Sequence, residues 1–266
     1  MPIKRTIATL VMLGAVAAMA DIPAIVTMQD GRELRGQLRW QTGQKQYLLT
    51  SATERGIPMT LNLPPAQIKE FRVQAPKGWE EVVSAIREGR GASVVPRLEA
   101  IVKEYAMMQY DVAAGSYLVN IHLNNNRAEE ALKAAEGVIK QKPDAGTSTD
   151  LAPLYWRAML ETGKTAKLAP ALDEAMKTAP RPVAARACIL RGDLLKSESR
   201  TRDALKDGYL RTVTLFRDQR AAQPEALFKA AQAFEELQEV RYAEKMRQQL
   251  LTAYSDSEYA KKLRGN

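Results

Sequence analysis

The sequence predicts an α+β chain built as two modules, a small N-terminal β-barrel-like domain followed by an all-α helical repeat array. Three observations carry this. Apolar residues alternate with period two between Ala24 and Val73. From Trp79 onward the period becomes helical, with Pro76-Lys77-Gly78 at the change. Small or apolar centres then recur at Ala131, Leu168, Ala204 and Ala243, at intervals of 37, 36 and 39 residues. One helix pair cannot bury its apolar face alone, so recurring pairs must stack and share a core. The expected division is residues 1–20 as a signal peptide, 21–76 as the β domain and 77–266 as the helical array.

The first element is a secretory signal. Lys4 and Arg5 precede an apolar run from Ile7 to Met19, and Ala18-Met19-Ala20 supplies the small residues that a signal peptidase reads. The run is shorter than the roughly 20 residues of a membrane-spanning helix. Cleavage is expected after Ala20. The residue after the cut is Asp21 rather than a cysteine, so no lipoprotein anchor is expected, and a secreted, periplasmic address follows. Lys4 and Arg5 are the only charges in the segment, so its removal lowers the net charge from +8 to +6. A basic chain raises nucleic acid as a partner, but export argues against it. An envelope protein or peptide, an anionic membrane surface and a cell-wall polymer remain as candidate partners. Cys188 is the only cysteine, so no internal disulfide forms even in an oxidising compartment. Its neighbours Ala184, Ala187 and Leu190 mark it as a small buried hydrophobe.

In the β region five short strands are expected, near 24–29, 33–40, 45–51, 57–62 and 68–73. Leu34, Gly36, Leu38 and Trp40 share one face, as do Ile57, Met59, Leu61 and Leu63. Asp30-Gly31 marks a tight hairpin, because both positions tolerate positive φ. The stretch from Asp30 to Leu38, with an apolar strand before it and a glycine that permits sharp bending, resembles the opening hairpin of SH3-like and Sm-like small barrels. The resemblance covers about fifty residues and implies an adaptor rather than an active site.

The helices begin with an antiparallel pair. Trp79, Val82, Val83 and Ile86 lie on one face of the first, and Val94, Val95, Leu98, Ile101, Val102 and Tyr105 on one face of the second. The clearest repeat copy runs from Val112 to Pro143, with Ala128, Ala131, Leu132, Ala135, Val138 and Ile139 on one face of its second helix. Leu118, Ala131 and Pro143 fit the tetratricopeptide pattern, which this unit resembles, although Val119 and His122 stand where that family has a small residue and a tyrosine. Later copies match at Ala175 and Pro180, at Gly192 and Ala204, and at Ala231, Phe234 and Ala243. The tail from Tyr254 to Leu263 resembles the repeat ends of bacterial envelope tetratricopeptide proteins. The resemblance implies a non-enzymatic scaffold that binds a protein partner along a concave face.

In that register the first helix of each pair lines the concave face. The expected lining is Ser116, Tyr117, Asn120 and Asn124, then Arg157 and Glu161, then Arg186 and Asp193, then Lys229 and Gln232. Amide, aromatic and charged groups together suit an extended peptide. A cell-wall or carbohydrate-binding module using the β domain, with Trp40 as the contact, is the alternative. His122 is the only histidine and has no paired cysteine, so neither a metal site nor a hydrolytic triad is expected. Glu80-Glu81, Glu129-Glu130 and Glu235-Glu236 are adjacent on helices and diverge by about 100°, so they form no acid/base dyad. No phosphate loop or dinucleotide fingerprint occurs, and no cofactor is expected. The basic residues between Arg181 and Arg220 are spread around two helices rather than along one stripe.

Overall fold

The computed structural model describes residues 21–52 and 56–265, so the signal segment expected over 1–20 lies outside the described residues. The chain divides into two compact units between Val73 and Gln74.

The first unit is an antiparallel sheet of five strands, β1 (Ile22–Met28), β2 (Glu33–Gln41), β3 (Gln46–Ala52), β4 (Pro58–Leu63) and β5 (Ile68–Val73), in the order β4-β3-β2-β1-β5. The sheet is open, because β4 and β5 are its two edges and do not pair; the closure of a barrel is absent among the described strands. Period two holds along β1, whose Ile22, Ala24, Val26 and Met28 are buried in alternation. The first hairpin turns through three residues rather than two. Met28 N–H donates to Arg32 at 2.8 Å, Gly31 N–H donates to Met28 at 3.0 Å, and Gly31 takes φ 86°. Gly36 is required for close approach, because a Cβ there would lie 2.4 Å from the Thr50 carbonyl oxygen. β4 departs from the expected half-buried face. Ile57 and Met59 are 60% and 43% exposed while Leu63 is buried, because β4 is an outer strand whose first half pairs with the exposed end of β3. Trp40 is turned inward, packed edge-on against Tyr47 with centroids 4.8 Å apart and only 7% exposed. Its indole therefore offers no face on which a sugar could stack, which corrects its assignment as a carbohydrate contact.

The second unit is a run of antiparallel helix pairs. They are α1 (Trp79–Arg87) with α2 (Val95–Glu104), α3 (Gln109–Asn124) with α4 (Ala128–Gln141), and, after the single turn α5 (Ala145–Ser148), α6 (Leu151–Glu161) with α7 (Thr165–Thr178). The fourth pair sets α8 (Arg181–Ser197) against α9 (Thr201–Ala204), a π-helical turn (Leu205–Tyr209) and α10 (Leu210–Leu215). The fifth is α11 (Gln223–Glu236) with α12 (Val240–Ala253), followed by α13 (Glu258–Arg264). All four spaced centres, Ala131, Leu168, Ala204 and Ala243, are fully buried.

The backbone marks the repeat more sharply than the side chains do. Each first helix ends on one left-handed residue: Gly89, Asn126, Gly163, Ser199 and Gln238, at intervals of 37, 37, 36 and 39. The next residue's N–H reaches back five positions each time, to the carbonyls of Ala85, His122, Met159, Leu195 and Phe234, at 2.8 to 2.9 Å. This is a helix C-terminal motif that satisfies otherwise orphaned carbonyls and reverses the chain. Five occurrences make five copies of one unit, the first being α1 and α2.

Helix α8 joins two apolar clusters. Its Val183, Ala187, Leu190 and Leu194 belong to a cluster reaching back to Val119, and its Ala184, Ala185, Cys188, Ile189 and Leu195 to one reaching forward to Ala260. Neighbouring pairs thus share burial, as stacking requires. Gly192 and Gly208 let α8 and the π turn touch: a Cβ on Gly208 would lie 2.4 Å from the Gly192 Cα.

Candidate functional site

An open cleft of about 690 Å³ runs across the first helices of four successive pairs. Trp79 enters from α1, Ser116, Tyr117 and Asn120 from α3, Pro153 and Leu154 from α6, and Arg186 from α8, while Thr149 and Asp150 come from the segment leading into α6. Spacing places the α3 group: residues three and four apart lie on one helix face. Trp79 closes one part of the cleft with an aromatic wall, its ring 5.9 Å from that of Tyr117 and 5.2 Å from that of Tyr110. Tyr110 is braced in turn by Tyr105, and the Tyr105 hydroxyl donates to the Gln74 carbonyl. Asp150 and Arg186 are both exposed and bring opposite charges to the lining. The Ser116 hydroxyl donates to the Val112 carbonyl at 2.8 Å and is held by its own helix. The cleft therefore offers an apolar wall, an amide and two opposite charges.

The ten residues expected on the concave face separate into groups. Ser116, Tyr117, Asn120 and Arg186 line the cleft together. Asn124 is exposed at the end of α3, and Gln232 is exposed on α11. Arg157 and Glu161 pair with each other at 2.7 Å, one turn apart on α6. Asp193 and Lys229 meet at 2.6 Å and tie α8 to α11. Lys229 also binds Glu225 at 2.7 Å, and the Tyr209 hydroxyl donates to Asp193 at 2.9 Å. Burial opposes the Lys229 charge, but Asp193 and Glu225 more than offset it and hold its pKa above the ordinary value. Burial, together with the Asp193 charge, pushes the Tyr209 phenol up. Burial and Glu225 push Tyr259 up to about 12.

Trp79, Thr149 and Asp150 were not expected in the lining. Trp79 shares its helix face with Val82, Val83 and Ile86 and reads as core from periodicity alone, yet it is only half-buried. Thr149 and Asp150 sit in a helix-entry segment. There the Thr149 hydroxyl donates to Ala145 and accepts the N–H of Leu151.

The remaining singled-out residues have structural roles. His122 is buried, and burial, reinforced by Arg127, holds its pKa below the usual 6.5. Cys188 is buried, and burial pushes its thiol up to about 11. Asp111, 3% exposed, was not anticipated: it accepts the N–H groups of Met107 and Val112 at 2.8 and 2.7 Å, at the start of α3. Of the basic residues between Arg181 and Arg220, several are neutralised locally, Arg181 by Asp218, Arg191 by Asp173, Lys196 by Glu236, and Arg200 by Glu198 and Asp203. Among the described residues no three His, Cys, Asp or Glu side chains converge to hold a metal. No described helix is long and apolar enough to cross a membrane.

No family model matches the sequence, and no curated protein matches it. Solved structures align with it. "Crystal structure of MamA" does so with a TM-score of 0.44 at 15% identity, over 69% of this chain and 96% of that one. "Crystal structure of YrrB: a TPR protein with an unusual peptide-binding site" does so with a TM-score of 0.41 at 18% identity, over 71% of this chain and 97% of that one. The five-copy array stands on this chain's own backbone geometry.

Proposed function

We propose that this chain is a secreted, periplasmic, non-enzymatic scaffold of the tetratricopeptide kind, whose first-helix cleft holds an extended segment of an envelope protein. The observation that carries the reading is the cleft itself, assembled from four successive pairs and lined by Trp79, Tyr117, Asn120, Asp150 and Arg186. Its volume falls within the roughly 300–1,000 Å³ of typical ligand sites. An apolar side chain of the bound segment packs on the Trp79–Tyr117 wall, the Asn120 amide pairs with its backbone, and Arg186 meets an acidic group. Catalysis has no support in this lining. Ser116 is bonded to its own helix, and His122 is buried in the core rather than beside a nucleophile. The open five-stranded sheet serves as a small SH3-like adaptor, a reading that rests on its opening hairpin through Asp30 and Gly31.

A photo-cross-linking residue at Asn120, tested in cells, should capture an envelope protein that the same residue at Gln232 does not. Arg186→Glu should abolish the capture. Equal capture from both positions, or capture of wall polymer only, defeats the reading.

A further inference from the structure

The second helix of the fourth pair builds a separate surface, and its shape comes from the π turn. Leu210 N–H donates to the Leu205 carbonyl, five residues back. In an α-helix a residue five positions on lies about 140° around the axis. A π turn brings it nearly above its partner. Here Leu205 and Leu210, and likewise Lys206 and Arg211, line the same recess of about 330 Å³. Phe234 and Leu237 complete its apolar floor, and Arg202 and Glu239 pair at its margin at 3.5 Å. The apolar surface continues outward. Tyr242 stacks on Phe234 with centroids 5.4 Å apart and is 55% exposed, Val240 adjoins Glu239 and is 65% exposed, and Leu215 lies one turn beyond Arg211 and is 58% exposed. Unlike most of the basic residues around them, Lys206 and Arg211 are exposed and form no ion pair among the described residues.

We propose that this surface docks an acidic amphipathic helix of a protein partner, with apolar side chains in the recess and carboxylates against Lys206 and Arg211. Charge complementarity selects the occupant: an apolar floor with two unneutralised cations at its rim lacks an apolar segment flanked by Asp or Glu. The recess also selects against a lipid surface, because a flat bilayer cannot reach Leu205 and Phe234 at the floor, whereas side chains projecting from a helix can. The site is distinct from the first-helix cleft and does not depend on it.

The test uses the full chain and a fluorescein-labelled helical probe of about 18 residues, long enough to hold helical structure. The probe carries a Leu/Phe stripe flanked by Glu, and its counterpart has Lys at every Glu. The acidic probe should bind at least about tenfold more tightly than the basic one. The double variant K206E/R211E, changed at exposed positions and checked for unchanged circular dichroism, should lose that preference. Val240→Asp should weaken binding of the acidic probe, while Asn120→Ala, in the other cleft, should leave it unaltered. Equal binding of the two probes overturns the proposal, as does an acidic-probe affinity unchanged by the double variant. Sedimentation with phosphatidylglycerol vesicles that depends on Lys206 and Arg211, in the absence of probe preference, overturns it in favour of a membrane surface.

Discussion

Asn120, Arg157, Asp193 and Gln232 each lie six residues before the left-handed residue that ends their helix, so they are equivalent positions in four copies of one unit. Their surroundings differ. Asn120 opens into the cleft, Arg157 folds back on Glu161, Asp193 is drawn inward by Tyr209 and Lys229, and Gln232 stands in solvent. The repeat fixes where a side chain leaves the helix. The neighbouring copy decides whether it is left available or used as a clamp. Between α1 and α8 the first-helix face is open, while between α8 and α11 it is laced shut by the Asp193–Lys229–Glu225 chain, and behind it α8 is held against its own pair's π turn by the Gly192–Gly208 contact.

The clamped end should respond most strongly to mutation. Gly208→Ala forces a methyl into backbone, since the atoms it would meet belong to the main chain of Gly192 and Cys188. It should cost about 3 kcal/mol by urea denaturation, the upper range for overpacking. Lys229→Met leaves Asp193 and Glu225 without their cation. With the lysine 24% exposed, the loss should be about 2 kcal/mol, below that of a fully buried pair. Gln238→Gly acts in the opposite direction. A glutamine at φ 61° carries backbone strain that glycine does not, so the melting temperature should rise by the equivalent of about 1 kcal/mol.

Smaller effects belong to the open end. Burial holds the His122 pKa in the folded chain below its ordinary value, so around that value the unfolded state binds more protons. Stability should therefore fall as pH is lowered through 6.5, and His122→Gln should flatten the dependence, read by urea denaturation across that range. Asn120→Ala should change stability by under about 0.5 kcal/mol while weakening capture of the partner. If it destabilised the chain as much as Lys229→Met does, the distinction between an open and a clamped end would collapse.

Much of this was legible in the sequence. The five strands follow from period two, and the four buried centres from their spacing. Two of the five turns are legible, at Gly89 and within Asn124-Asn125-Asn126, because glycine and asparagine accept the left-handed conformation; Ser199 and Gln238 adopt the same geometry without advertising it. Helix α8 gave a weak amphipathic signal because its two faces serve different clusters. The π turn was unreadable, since Leu205 and Leu210 meet at a spacing of five that the α period assigns to different faces. In the candidate site, Ser116, Tyr117, Asn120 and Arg186 were recoverable from the register. The fates of Asp193 and Lys229 were not, because they depend on which neighbour faces them across the stack.

The two borders of the β sheet are unequal in a way that bears on how the protein behaves at high concentration. β5 carries Lys69, Glu70 and Arg72 along its outer border, whereas Pro58–Leu63 has no charge and shows Met59 to solvent, next to Ile57. Charged residues on a border strand discourage another chain from adding to it. Self-association through sheet extension is thus opposed on one side and weakly opposed on the other, so aggregation in storage or overexpression should begin at β4.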